Sequence, residues 1–160
     1  MTTDFVPQLR YRQAAWQGFD RITEAQTSSD PDVRWWQTDY RSRCGTGCCY
    51  AGQVALAAGG QWLVHIRDRQ MLINGTPVTK ADRWSVPYSI WQYMLATDDD
   101  PARLVRHVRG KRVIHVSHRA AHLIGIDPDA DHHDDGGLFE SSNTREDLER
   151  LINQQVGLRP

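Results

Sequence analysis

Cys44-Gly45-Thr46-Gly47-Cys48-Cys49-Tyr50-Ala51-Gly52, continuing through Gln53-Val54-Ala55-Leu56-Ala57-Ala58 to Gly59-Gly60, is the stretch whose reading decides the fold. It holds all three cysteines of the chain. Gly45 and Gly47 disfavour helix ahead of Cys48. Thr46 is a residue type that caps a helix start, and the paired glycines after Ala58 are a stop signal. The pattern predicts a helix over 46–58. Its side chains are small, which lets another element approach closely, so this helix is expected at the centre of the molecule.

On the N-terminal side, Leu9, Ala15, Trp16, Phe19 and Ile22 approximate a 3.6-residue stripe, predicting an amphipathic helix over 8–26 that follows Pro7. Gly18 weakens that pattern. Thr27 to Pro31 reads as a loop, and Asp32 to Tyr40 as a short helical turn. On the C-terminal side, Trp62 to Ile66, Met71 to Ile73 and Thr76 to Val78 alternate with the turn signals Asp68-Arg69-Gln70 and Asn74-Gly75, predicting a small β-meander. Ser85 to Met94 reads as a short helix. Asp98 to Pro101 reads as a loop or helix start leading into Ala102 to Val108, which Gly110 breaks. Val113 to Val116 predicts a strand. Ser117 is placed to cap a helix that ends at Gly125, and residues 127–137 form an acidic loop. Asn143 or Thr144 caps a last helix with Asp147 in its first turn and Leu148, Leu151 and Ile152 facing inward.

The expected architecture is therefore one helix-rich α+β domain over 1–160. The 46–58 helix is packed by amphipathic helices at 8–26, 117–125 and 144–156, with a small antiparallel sheet from 62–78 and 112–116. Nineteen basic and 20 acidic residues leave a net charge of −1, so no global field steers the chain to nucleic acid or to a membrane. No apolar run approaches the roughly 18–20 residues that a spanning helix needs. Met1-Thr2-Thr3-Asp4 has neither the basic nor the apolar region of a signal peptide, and a cytoplasmic location is the expectation.

Three segments together resemble a known group of sequences. They are Cys44-Gly-Thr-Gly-Cys-Cys-Tyr-Ala-Gly52 with its Ala-rich helix, Val113-Ile-His-Val-Ser-His-Arg-Ala-Ala-His-Leu-Ile-Gly-Ile126, and Leu138-Phe139 followed by Asn143-Thr-Arg-Glu-Asp-Leu148. Their order is similar to a family of small uncharacterised actinobacterial phage and prophage proteins. That family carries a CGTxxCxAG helix start, an AxxLLGL helix and an LF…NTxxDL helix. Gln53 and His118 depart from its pattern. The resemblance implies a phage or prophage origin and carries no activity with it.

Chemistry was sought first at the cysteines. A thiol in the first turn of a helix gains from the unsatisfied amides and the dipole, which lower its pKa. The string Cys48-Cys49-Tyr50-Ala51 faintly resembles the papain-type Cys-Gly-Ser-Cys-Trp-Ala segment. It would make Cys49, or Cys48, the nucleophile and His115 a base. A short cysteine match does not transfer between families, and a small apolar residue at a tight helix start explains the same residues. Cys44 and Cys48, with His118 and His122, supply the ligand types of a tetrahedral zinc site. His132 and His133 among Asp129, Asp131, Asp134 and Asp135 fit a solvated acidic loop better than a cation site. Arg103, Arg106, Arg109, Lys111 and Arg112 form a basic stretch able to neutralise phosphates, but without a recognisable nucleic-acid motif. Trp35, Trp36, Trp84, Tyr88 and Trp91 read as core, or, where exposed, as a protein-binding or self-association surface. The expected function is a phage-encoded accessory protein that binds a host or phage protein without catalysis or cofactor. A cysteine enzyme, and a zinc-stabilised or nucleic-acid-binding protein, are the alternatives.

Overall fold

A computed structural model describes residues 8–27, 34–42, 47–130, 132 and 136–160. Helix α1 spans Leu9–Thr27 and buries Ala15, Trp16, Phe19 and Ile22, the stripe read from the sequence. It lies against α2, Tyr50–Ala57. The two helices touch at Gly18, where an added Cβ would stand 2.5 Å from Val54 Cγ2 and 2.9 Å from Val54 Cα. The glycine that weakened the helical pattern is thus what lets the pair pack. Tyr50, fully buried, ties them with a hydroxyl donated to Ala15 O at 2.8 Å.

Helix α2 begins later than the predicted 46–58. Thr46 lies outside the described residues. Gly47–Cys48 is not helical but a strand, β2, parallel to β1 at Arg34–Trp35, where a short helical turn was expected. The reason is where the carbonyls go. Gly47 O accepts from Ser42 N and Cys48 O from Trp36 N, both at 2.8 Å, so neither carbonyl serves a helix. Cys49 is the N-cap, with extended backbone and no side-chain cap bond. Gln37 does that work from outside: its Oε1 accepts from Tyr50 N at 3.0 Å, and its Nε2 donates to Glu140 O.

The meander forms as read, with β3 (His65–Arg67), β4 (Gln70–Ile73) and β5 (Thr76–Pro77) antiparallel in order. Its second turn, Asn74-Gly75, has both residues at positive φ, the mirror-image turn that suits a hairpin. A five-residue helix α3, Lys80–Trp84, follows, closed by a reciprocal capping box between Thr79 and Asp82 that the sequence reading missed. The helix expected over 85–94 is absent. Pro87 interrupts the segment, only a 3-10 turn forms at Ile90–Gln92, and Tyr93–Leu95 becomes strand β6. Ala102–Leu104 is likewise a 3-10 turn, leading into β7 (Arg106–Val108). Strand β8 (Lys111–His115) pairs with both β6 and β7, so two three-stranded antiparallel sheets replace the single predicted one.

Helix α4 spans Val116–Ile124 and ends at left-handed Gly125; its N-cap is His115, not Ser117. Helix α5 spans Arg145–Gln155; of the two expected caps it is Thr144 that serves, and it forms a reciprocal capping box with Asp147. Helix makes up 42% and strand 18% of the described residues, so the fold is helix-rich α+β. One core joins α1, α2, α4 and α5 with Leu138 and Phe139, and a second lies under the sheets. No described helix is long and apolar enough to cross a membrane.

Candidate functional site

Of the sequence-predicted residues, the structure places Cys49, His115 and His118 in two neighbouring hollows. The larger, of about 590 Å³, is lined by Tyr40, Tyr88, Gln92, Tyr93, His115, Ser117, His118 and Phe139, among others, with Arg106 and Asp129 at its edge. The smaller, of about 90 Å³, holds Cys49 with Gln37, Thr38 and Ser141. Tyr40 and Phe139 line both hollows and so stand between the thiol of Cys49 and the imidazole of His115. Tyr40 packs edge-on to both His115 and Phe139, at 5.0 and 6.2 Å between ring centres.

Burial governs the thiols. Cys48, on β2, and Cys49, at the α2 cap, are both almost fully buried. The sequence reading expected the helix start to lower their pKa. Loss of solvent acts the other way and wins, pushing the Cys49 thiol up to about 11 despite bonds from the amides of Gly52 and Ala51. Cys48 is pushed up further by burial, against the pull of Arg21 and Arg41. Its sulfur accepts from Gln53 Nε2 at 3.3 Å. Neither thiol is set to ionise near neutral pH, and Cys49 and His115 face different hollows. Cys44 lies outside the described residues.

His115 ends β8 and opens α4. Its Nδ1 accepts from the amide of Ser117 at 3.2 Å, which fixes Nδ1 as the bare nitrogen. Ser117 Oγ therefore donates to the same atom at 2.7 Å, and Nε2–H donates to Gln92 Oε1 at 2.9 Å. The imidazole caps α4 and holds the cleft floor in one tautomer, its single basic lone pair shared by two donors of Ser117. His118, one turn along, is half-buried in the cleft, and its pKa is lowered by loss of solvent. Its ring lies 6.2 Å from that of Tyr88. His122 does not line the cleft. Among the described residues no group of three or more His, Cys, Asp or Glu side chains is arranged to hold a metal ion.

The four tryptophans divide. Trp35 is partly buried, its Nε1 donating to Gln37 Oε1, and Trp91 donates to Arg41 O. Trp36 and Trp84 are exposed, Trp84 to 82%, and Tyr88 on the cleft wall is exposed to 54%. The sequence reading did not single out Gln37 or Arg41, and named Gln53 only as a departure from the family pattern; all three are buried. Isolated polar residues carry no periodic signal, and only their partners in space reveal them. Compared with protein-family models, curated proteins and solved structures, the chain matches none.

Proposed function

We propose that this chain is an accessory protein of phage or prophage origin that acts in the host cytoplasm by binding another protein. The origin rests on the motif resemblance alone. The binding mode rests on one observation: Trp84 and Tyr88, four residues apart, present large aromatic surface to solvent where the chain runs into the cleft. Aromatic side chains left in water beside a concave, mixed polar–apolar surface are what a protein-binding face uses as anchors. The buried thiols give a cysteine enzyme no corresponding support.

The test is affinity capture from host lysate with the wild-type chain and a Trp84→Ala/Tyr88→Ala variant. A specific protein is expected with the first and lost with the second, while both melt alike. Retention of the same protein by both, or of none by either, overturns the reading.

A further inference from the structure

Another hollow, of about 410 Å³, lies away from the cleft and is lined by Arg21, Arg41, Trp62, His65 and Arg67, with Leu56 and Ile66 supplying apolar wall. Among the described residues no carboxylate lines it. Four charged side chains are buried among the described residues: Arg41, Asp82, Asp100 and Arg119. Asp82 pairs with Arg109 and Asp100 with Arg119. Arg41 has no carboxylate partner among the described residues, although only 6% of it is exposed. Its NH1 donates to Val64 O and Trp91 O, its guanidinium lies 4.5 Å over the Trp62 ring, and its Nε has no partner.

A buried charge without a counter-charge is costly, and native proteins pair it or use it. Cys48 is the anion-capable group beside Arg41, but burial keeps it a neutral thiol. The same loss of solvent lowers Arg41 to about 10. The neighbours are arranged in the same sense. Arg21 spends its Nε on Gln53 Oε1 at 3.1 Å. Gln53 is itself held by Arg34 O and Cys48 O, so the guanidinium of Arg21 is oriented. His65 and Arg67, two apart on β3, share one face of the strand.

We propose that this hollow binds the phosphate group of a small organic phosphomonoester, with the body of the ligand against Trp62, Leu56 and Ile66. Three guanidinium groups exceed what one carboxylate can occupy and match the several acceptor oxygens of a phosphate. The volume falls within the roughly 300–1,000 Å³ of small-ligand sites. This site is independent of the protein-binding reading, because the two hollows share no lining residue.

The experiment titrates the full chain with adenosine monophosphate, inorganic phosphate and adenosine, by calorimetry and by tryptophan emission. Adenosine monophosphate is expected to bind with a Kd of about 1 mM or tighter. Phosphate should compete, and adenosine should not bind. Arg21→Gln and Arg67→Gln should each weaken binding about tenfold, the loss of one charged hydrogen bond. Arg67→Gln should leave melting unchanged, whereas Arg21→Gln also strips the buried Gln53 Oε1 of its donor and should lower it. Arg41→Met should abolish binding, but Arg41 also holds two carbonyls. The decisive variant is therefore Arg67→Gln, at an exposed strand position. Absence of saturable binding by either phosphate compound, or binding indifferent to Arg21→Gln and Arg67→Gln, would each overturn the proposal.

Discussion

Replacing Gly18 by alanine pits two effects of opposite sign against each other. In an isolated helix the change is favourable by about 1 kcal/mol, because alanine restricts the unfolded chain and glycine does not. In this fold the new Cβ would meet Val54 Cγ2 at 2.5 Å and Val54 Cα at 2.9 Å. A methyl can be moved by a rotamer change, but Cα belongs to the backbone of α2. Relief therefore requires the helices to part at the core that contains Trp16, Phe19, Tyr50 and Val54. Overpacking of this kind costs about 1–3 kcal/mol. The net expectation is destabilisation of up to about 2 kcal/mol, or up to roughly 8 °C in Tm for a chain of this length. Urea melts followed by circular dichroism measure it. In a Val54→Ala background the Cγ2 clash disappears and the Cα clash stays, so the cost of Gly18→Ala should shrink without vanishing. A Gly18→Ala protein more stable than wild type, or a cost indifferent to Val54→Ala, would refute close helix contact at this position.

The thiols give a second test. In a Cys44→Ser background, Cys48 and Cys49 of the folded protein should react with iodoacetamide at neutral pH a few hundred-fold more slowly than free cysteine. That follows from the thiolate fraction left when Cys49 sits near 11 rather than about 8.5. Rapid stoichiometric labelling of the native chain would restore the cysteine-enzyme reading. A third concerns acid. Bonds from Arg109 and Thr79 hold the Asp82 carboxyl at about 2 instead of 3.8. A depressed carboxyl contributes stability above its unfolded pKa and loses it as pH falls towards the folded one. Wild type should therefore lose stability between about pH 4 and pH 2, and Asp82→Asn should lose less over that window. Urea midpoints at several acid pH values decide this; parallel slopes for the two proteins would show that Asp82 is not the titrating tie.

What could be read from sequence was what repeats locally. The stripe of α1, the cap and inward leucines of α5, the Gly125 stop of α4 and the Asn74-Gly75 turn are each written within one or two turns of chain. The failures share a different cause. Strands β1 and β2 are two residues each and exist only through pairing with one another. Strands β6 and β7 are three residues each, fixed by β8 between them. Helix α3 is too short for periodicity, although its Thr79-x-x-Asp82 box was visible. The site was less legible than the fold. The cysteines drew attention as reactive groups, yet burial, a property of the whole core, decides their chemistry. Trp84 was grouped with tryptophans that turned out to be anchored, because side-chain type does not tell a buried aromatic from an exposed one.

The placement of charge separates the two basic regions of the chain. The run 103–112 looked like the stretch able to meet phosphate. In the fold its members are largely occupied: Arg103 pairs with Asp129, Arg112 with Asp98, and Lys111 donates to Asn74 Oδ1. Arg109 donates to Asp82 and to the carbonyls of Ile73 and Pro77, tying the β7–β8 turn to the meander. These cations join elements and are offset by acids of the same molecule. Arg21, Arg41 and Arg67 come from α1, the segment after β1 and β3, and no sequence window contains two of them. Among the described residues they converge without a carboxylate between them, and the most buried of the three lacks any counter-charge. A near-neutral total charge thus conceals a local excess. Phosphate recognition belongs where positive charge is concentrated and unspent, at the Arg41 hollow, and not where arginines merely follow one another in sequence.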